Sequence, residues 1–174
     1  MPRKFLFAPA PVSLLYTDAE GSGGLGGFLS AAVEAEWLGG QVSPIVPPLL
    51  MPCKTQIFLF EIIAVLLAAR VWTKQLFGTS VIFFVDNQSA LAALKKVGSR
   101  VADAHSMVGL FWDVLVPAMQ PASVHFYYVP SSLNLADAPS RSEQPSLLAR
   151  RTPLRLRWEW LAAALAAPSA QTSL

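Results

Sequence analysis

One acidic residue stands inside the most apolar stretch of this chain. Between Ile57 and Trp72 the only charged residues are Glu61 and Arg70. From Gln56 to Leu76 there is neither Gly nor Pro, so the segment reads as a long helix, with Thr55 placed to cap its first turn. The helical neighbours of Glu61, namely Ile57, Phe58, Ala64, Val65 and Ala68, are all apolar. Its carboxylate therefore starts on a stripe destined for the core. An ionised carboxylate without a partner there costs several kcal/mol, so Glu61 must be protonated, paired or bound to a metal unless it reaches solvent at the helix edge. The stretch is short of the ~18–20 residues of a membrane span and carries two charges, which favours a buried helix and no membrane.

The rest of the chain supplies a sheet for that helix. Leu14 to Tyr16 leads into Asp18 and the turn residues Gly21, Ser22, Gly23 and Gly24, a strand followed by a hairpin. Leu25 to Ala31 reads as a second strand. Val33, Ala35 and Trp37 alternate with Glu34 and Glu36, the period of a third strand with one wet face. Prolines 44, 47, 48 and 52 make the next segment a surface loop. Val81 to Val85 is an unbroken apolar run, the pattern of a central strand, and Asp86 sits at its exit. Asn87 or Ser89 can cap a helix reaching Lys96; a further helix near Val101 to Val116 places Ala104, Met107, Val108, Phe111 and Leu115 on one side. Ser123 to Val129 reads as a fifth strand, and Pro130 to Arg141 as a loop or short helical turn.

This order implies an α/β domain with a mixed sheet flanked by helices, strands one, four and five lying near its centre. The expected division is a domain over residues 13–142 and an Arg-rich tail over 143–174, with Trp158 to Ala167 a candidate short helix. A chain of 174 residues fits one domain, and 53% hydrophobic against 14% charged residues excludes a wholly disordered protein. The single cysteine, Cys53, excludes an internal disulfide and a cysteine-based zinc site, which favours an intracellular, cytoplasmic or nuclear, setting. Arg3 and Lys4 precede apolar residues, yet Pro9 and Pro11 interrupt them, unlike a signal peptide.

Asp18, Asp86 and Asp137 each have a plain alternative reading: a turn residue, a helix cap, a first-turn acid. Together with Glu61 they can converge at one edge of the sheet, because sites on such sheets gather at the carboxyl ends of strands. Clustered carboxylates repel, and a hard divalent cation such as Mg²⁺ resolves the repulsion while leaving positions for water and phosphate oxygens. No Ser-His-Asp or Cys-His arrangement competes with this reading, and the Gly21 to Gly27 segment lacks the Lys-Ser/Thr ending of a phosphate loop.

Four segments carry a resemblance: Tyr16-Thr17-Asp18-Ala19, Glu61 to Ala68, Phe84-Val85-Asp86-Asn87, and Asn134-Leu135-Ala136-Asp137-Ala138-Pro139-Ser140-Arg141. In order and setting they resemble the ribonuclease H domains of retrotransposon reverse transcriptases, the DIRS and Ngaro type first and gypsy-like elements next. The resemblance implies a ribonuclease H-like five-stranded mixed sheet, two Mg²⁺ ions with Mn²⁺ as a substitute, and endonucleolytic cleavage of the RNA strand of RNA-DNA hybrids. It assigns Asp18, Glu61, Asp86 and Asp137 as catalytic metal ligands. A reverse transcriptase domain of the parent element is an implied partner. Only 17 residues precede Asp18, so a fragment, a cleaved unit or a domesticated copy is expected. Cellular ribonucleases H carry a histidine in the loop before the last Asp, where this chain reads Pro130-Ser131-Ser132-Leu133; many retrotransposon domains also lack it.

A hybrid would be held through its phosphates, and Lys95, Lys96, Arg100 and Arg141 are the candidate contacts. Trp37, Trp112 and Tyr127 are expected in the core. Glu20 is read as a surface turn residue, or at most a neighbour of the metals. Two alternatives stand beside the hybrid nuclease. One is a catalytically idle nucleic-acid or protein binding module; the other is an exonuclease of the same superfamily, although its third motif needs a His or Tyr where Leu133 and Asn134 precede Asp137.

Overall fold

The computed structural model describes residues 9–32, 34–51, 57–153 and 158–166. Three antiparallel strands open the chain, β1 (Val12–Ala19), β2 (Gly24–Ser30) and β3 (Ala35–Gln41). Helix α1 (Ile57–Val71) follows, then the single turn α2 (Thr73–Leu76) and β4 (Ser80–Val85), which returns parallel to β1. Next come α3 (Gln88–Lys95), α4 (Ala102–Gly109), a π-helical segment Leu110–Leu115, and the short α5 (Val116–Met119). Strand β5 (Ser123–Tyr128) lies parallel to β4. The chain then forms α6 (Asp137–Ser140), the two-residue β6 (Arg150–Arg151) and α7 (Glu159–Ala166). Thr55, Cys53, Val33 and Ala167 fall outside the described residues.

The sheet order is β5-β4-β1-β2-β3-β6. β1 and β4 are central as expected, but β5 is an edge strand, since among the described residues no strand joins beyond it. A sixth strand extends the expected five, where Arg150 and Arg151 pair parallel with Glu36 and Trp37 of β3. α1 covers one face and is buried from Leu59 to Ala69. On that side Phe83 of β4 meets Phe111 and Phe126, and the expected stripe of Ala104, Met107, Val108, Phe111 and Leu115 is fully buried. The π-helical segment widens the turn between Phe111 and Leu115 so that both reach this core.

The expected long helix ends early. Trp72 leaves the helical conformation and turns its fully buried indole toward β3, where its N–H donates to Glu36 at 2.9 Å. This corrects the wet face expected for β3: Glu36 is only 4% exposed and also accepts from Arg150 and Thr152, both at 2.5 Å. Period-two patterning assigned Glu36 to solvent because its partners lie 36, 114 and 116 positions later.

On the opposite face, residues in register across five strands form one aromatic row: Tyr127, Phe84, Tyr16, Phe28 and Trp37. Tyr16 and Phe84 stack with ring centroids 4.6 Å apart. Trp37 is buried and Trp112 half-buried, but Tyr127, expected in the core, is 52% exposed because its strand is at the edge.

Candidate functional site

The carboxyl ends of β1 and β4 lie side by side, since Thr17 pairs with Val85. This brings Asp18, at the end of β1, next to Asp86, the residue after β4. Asn87 caps α3, its side chain accepting from the backbone N–H groups of Ser89 (3.0 Å) and Ala90 (3.1 Å). Helix capping therefore does not account for Asp86. Glu61 reaches the same place from α1, where its Oε1 accepts from the N–H of Ala19 at 3.4 Å. Asp18, Glu61 and Asp86 each offer an oxygen within 4.8 Å of the others.

Asp137 opens α6 and lines the same cleft, an open space of about 350 Å³ also bordered by Glu20, Ser131, Ser140 and Arg141. Its Oδ1 is engaged by Arg141 at 2.8 Å. Two glycines seat α6 on the sheet: a Cβ at Gly24 would run into the carbonyl of Ser140, and one at Gly26 into the carbonyl of Ala136. The glycines after β1 thus serve close approach as well as the hairpin.

Asn134, noticed in the sequence only as part of a motif, has a positioning role. Buried at 6% exposure, it donates its amide N–H to the carbonyl of Thr17 (2.9 Å) and to Asp18 Oδ1 (3.4 Å), while its own oxygen accepts from Ala136 N–H (3.2 Å). It joins the loop before α6 to the end of β1 at Asp18.

The acids of the cluster are buried beside one another, which disfavours their charged forms. Burial, with the charges of Asp86 and Asp18 beside it, pushes the Glu61 carboxyl up to about 9. Burial, with Asp86 and Asp137 beside it, pushes Asp18 up to about 7. Glu61 Oε2 is buried with no hydrogen-bond partner, an arrangement that costs free energy unless a proton or a cation meets it. Carboxylate oxygens at this density are a hard donor set, and the three residues fit a divalent cation.

The basic candidates separate. Arg141 borders the acidic cleft. Lys96 and Arg100 line a neighbouring cleft of about 790 Å³ with Phe58, Ser89 and Ser99. Lys95 instead reaches the edge of the sheet, its Nζ 5.7 Å from the centroid of the Tyr127 ring.

No protein-family model and no curated protein matches the sequence. Among solved structures the chain is similar to RNase H1 from the halophilic archaeon Halobacterium salinarum, with a TM-score of 0.51 and 14% identity over 74% of this chain and 92% of that one. It is also similar to LC11-RNase H1 in complex with RNA/DNA hybrid, with a TM-score of 0.53 and 12% identity over 76% of this chain and 95% of that one. The fold is ribonuclease H-like. Within it Asp18, Glu61 and Asp86 form an acidic group able to hold a metal ion. Among the described residues no helix is long and apolar enough to cross a membrane.

Proposed function

We propose that this chain is a metal-dependent endonuclease that hydrolyses the RNA strand of RNA-DNA hybrids, and that it derives from a retrotransposon reverse transcriptase. The observation that carries the activity is the convergence of Asp18, Glu61 and Asp86, from two strand ends and a buried helix, on one cleft that Asp137 also lines. The origin rests on the four sequence motifs and their order. Residues 13–142 are read as the catalytic unit and 143–174 as an Arg-rich tail, of which β6 joins the sheet.

Two Mg²⁺ ions, or Mn²⁺ in their place, would supply at this site an activated water and stabilisation of the leaving oxygen of a phosphodiester. Asp18, Glu61, Asp86 and Asp137 would hold them, with Asp18 and Glu61 giving up the protons that burial now favours. Asn134 fixes the direction of Asp18. Arg141, next to Asp137, is placed to turn its guanidinium to a substrate phosphate.

The cleft of Lys96 and Arg100 begins one turn from the acids, with Phe58 three residues before Glu61 and Ser89 three residues after Asp86. It offers cationic contacts for the backbone of a bound duplex. That LC11-RNase H1 was solved with an RNA/DNA hybrid supports this choice of substrate. RNA would be distinguished through its 2′-hydroxyl groups in the shallow minor groove, with little sequence preference. A cytoplasmic or nuclear setting, and a reverse transcriptase domain as partner, go with this reading.

The test is cleavage of a hybrid labelled in either strand, with Mg²⁺ or Mn²⁺, by the wild type and Asp86→Asn. Internal cuts in the RNA strand that vanish in the variant are expected. Shortening from single-stranded ends would instead identify an exonuclease, and no metal-dependent cleavage by folded protein would mark an idle binding module.

A further inference from the structure

The two edges of the sheet are built differently. At the β3 edge an added strand, β6, brings Arg150 into ion pairs with Glu34 and Glu36, and charge of this kind blunts an edge against further pairing. At the other edge, among the described residues, β5 pairs only with β4. Its six residues, Ser123 to Tyr128, include no acid, no Lys or Arg, no Pro and no Gly. That composition leaves an edge open to another strand.

The register identifies the backbone groups that are left over. Ala122 donates its N–H to the carbonyl of Thr79, and alternate residues of a parallel strand bond to the same neighbour. Val124 and Phe126 continue those bonds, so Ser123, His125 and Tyr127 turn their N–H and C=O groups outward. His125 and Tyr127 are exposed, as is Tyr128. The aromatic row through Phe84 and Tyr16 holds the strand in place from within.

We propose that β5 is the contact strand of a symmetric dimer, pairing antiparallel with β5 of a second copy about a two-fold axis at His125. In this register Ser123 of one copy meets Tyr127 of the other and His125 meets its own counterpart, so every outward backbone group of the three residues is satisfied. A small serine faces a large tyrosine at both ends. The nearby cation, Lys95, sits over Tyr127 at one end of the strand. Two-fold symmetry sends the two lysines to opposite ends, roughly 14 Å apart at ~3.4 Å per residue, which is beyond the ~8 Å screening length at physiological salt. A charged partner strand finds no complement on β5, whereas its own copy brings no like charge within the screening length. Because the strands run in opposite directions, the two acidic clefts open at opposite ends of the joined sheet.

The axis can be tested with charges placed on it. Sedimentation equilibrium of the 174-residue chain should show twice the chain mass at high concentration and a return to the chain mass on dilution. His125→Lys and His125→Glu should each stay at the chain mass, because like charges then confront one another across the axis. An equimolar mixture of the two should recover the doubled mass, and this recovery shows that the variants are folded. His125→Pro, which removes an outward N–H at an edge position where proline is tolerated, should also stay at the chain mass, with a circular dichroism spectrum like that of dilute wild type. A wild type that stays at the chain mass, single variants that still double it, or a mixture that does not recover would each overturn the proposal.

Discussion

The amide of Asn134 spans from the carbonyl of Thr17 to the carboxylate of Asp18, 2.9 and 3.4 Å away, and so ties the loop that precedes α6 to the end of β1. Residues that orient metal ligands in this way contribute to affinity without touching the metal. Asn134→Ala should weaken Mg²⁺ binding by about 10–100-fold, read by isothermal titration calorimetry. Unchanged affinity in a folded variant would show that the bond is only structural.

The pH dependence of the metal-free protein follows from opposed groups. Asp18 and Glu61 have folded values near 7 and 9, above their unfolded ones, so they contribute stability below about pH 4 that is lost as pH rises through those values. For Glu36, burial acts upward, but the hydrogen bonds of Thr152, Arg150 and Trp72 prevail and hold the carboxyl below its ordinary value. Its contribution is present above about pH 4.5 and lost as pH falls further. The thermal midpoint should peak near pH 5 and decline toward pH 9, by about 2–4 °C for each kcal/mol lost. Glu61→Gln should flatten the alkaline side and raise the midpoint at pH 9; a slope identical to wild type would show that Glu61 ionises without cost.

Metal addition should act on the same side. Mg²⁺ must displace the protons held by Asp18 and Glu61, so it should stabilise the protein at pH 8 much more than at pH 5 and release protons as it binds. Differential scanning fluorimetry at the two pH values reads the first effect, and titration in buffers of different ionisation enthalpy reads the second. Asp86→Asn should reduce both. Equal stabilisation at the two pH values would place the metal elsewhere.

The seating of α6 can be tested at the glycines. Gly26→Ala sets a Cβ against the backbone of Ala136 and Ser140 and should cost about 1–3 kcal/mol in denaturant unfolding. Gly21→Ala, with nothing within 4 Å of the added carbon, should change stability by less than about 0.5 kcal/mol. Equal effects of the two substitutions would refute the close approach.

The elements that define the fold were legible because they are driven by local pattern. The apolar run Val81 to Val85 gave a central strand, and the Gly- and Pro-free segment after residue 56 gave the helix that carries Glu61. The site followed from the placement of its acids: Glu61 was conspicuous for its apolar neighbours, and Asp18 and Asp86 stand at strand ends. What could not be read were relations between distant positions. Glu36 looks solvated by period, yet it is buried by a tryptophan 36 positions later and an arginine 114 positions later. Tyr127 looks like core, yet among the described residues its strand is the last in the sheet, and no property of the six residues themselves reveals which strands flank them.

The pairing of β3 with β6 also has a consequence for the order in which the molecule can be finished. Synthesis proceeds from the amino terminus, so β1, β2, β3 and α1 leave the ribosome long before Arg150 and Thr152 do. Until then any sheet formed by these strands lacks two of the three hydrogen-bond partners of Glu36 and the strand that covers the β3 edge. The edge at β3 is thus completed only after Thr152 has been made, more than a hundred residues after Glu36.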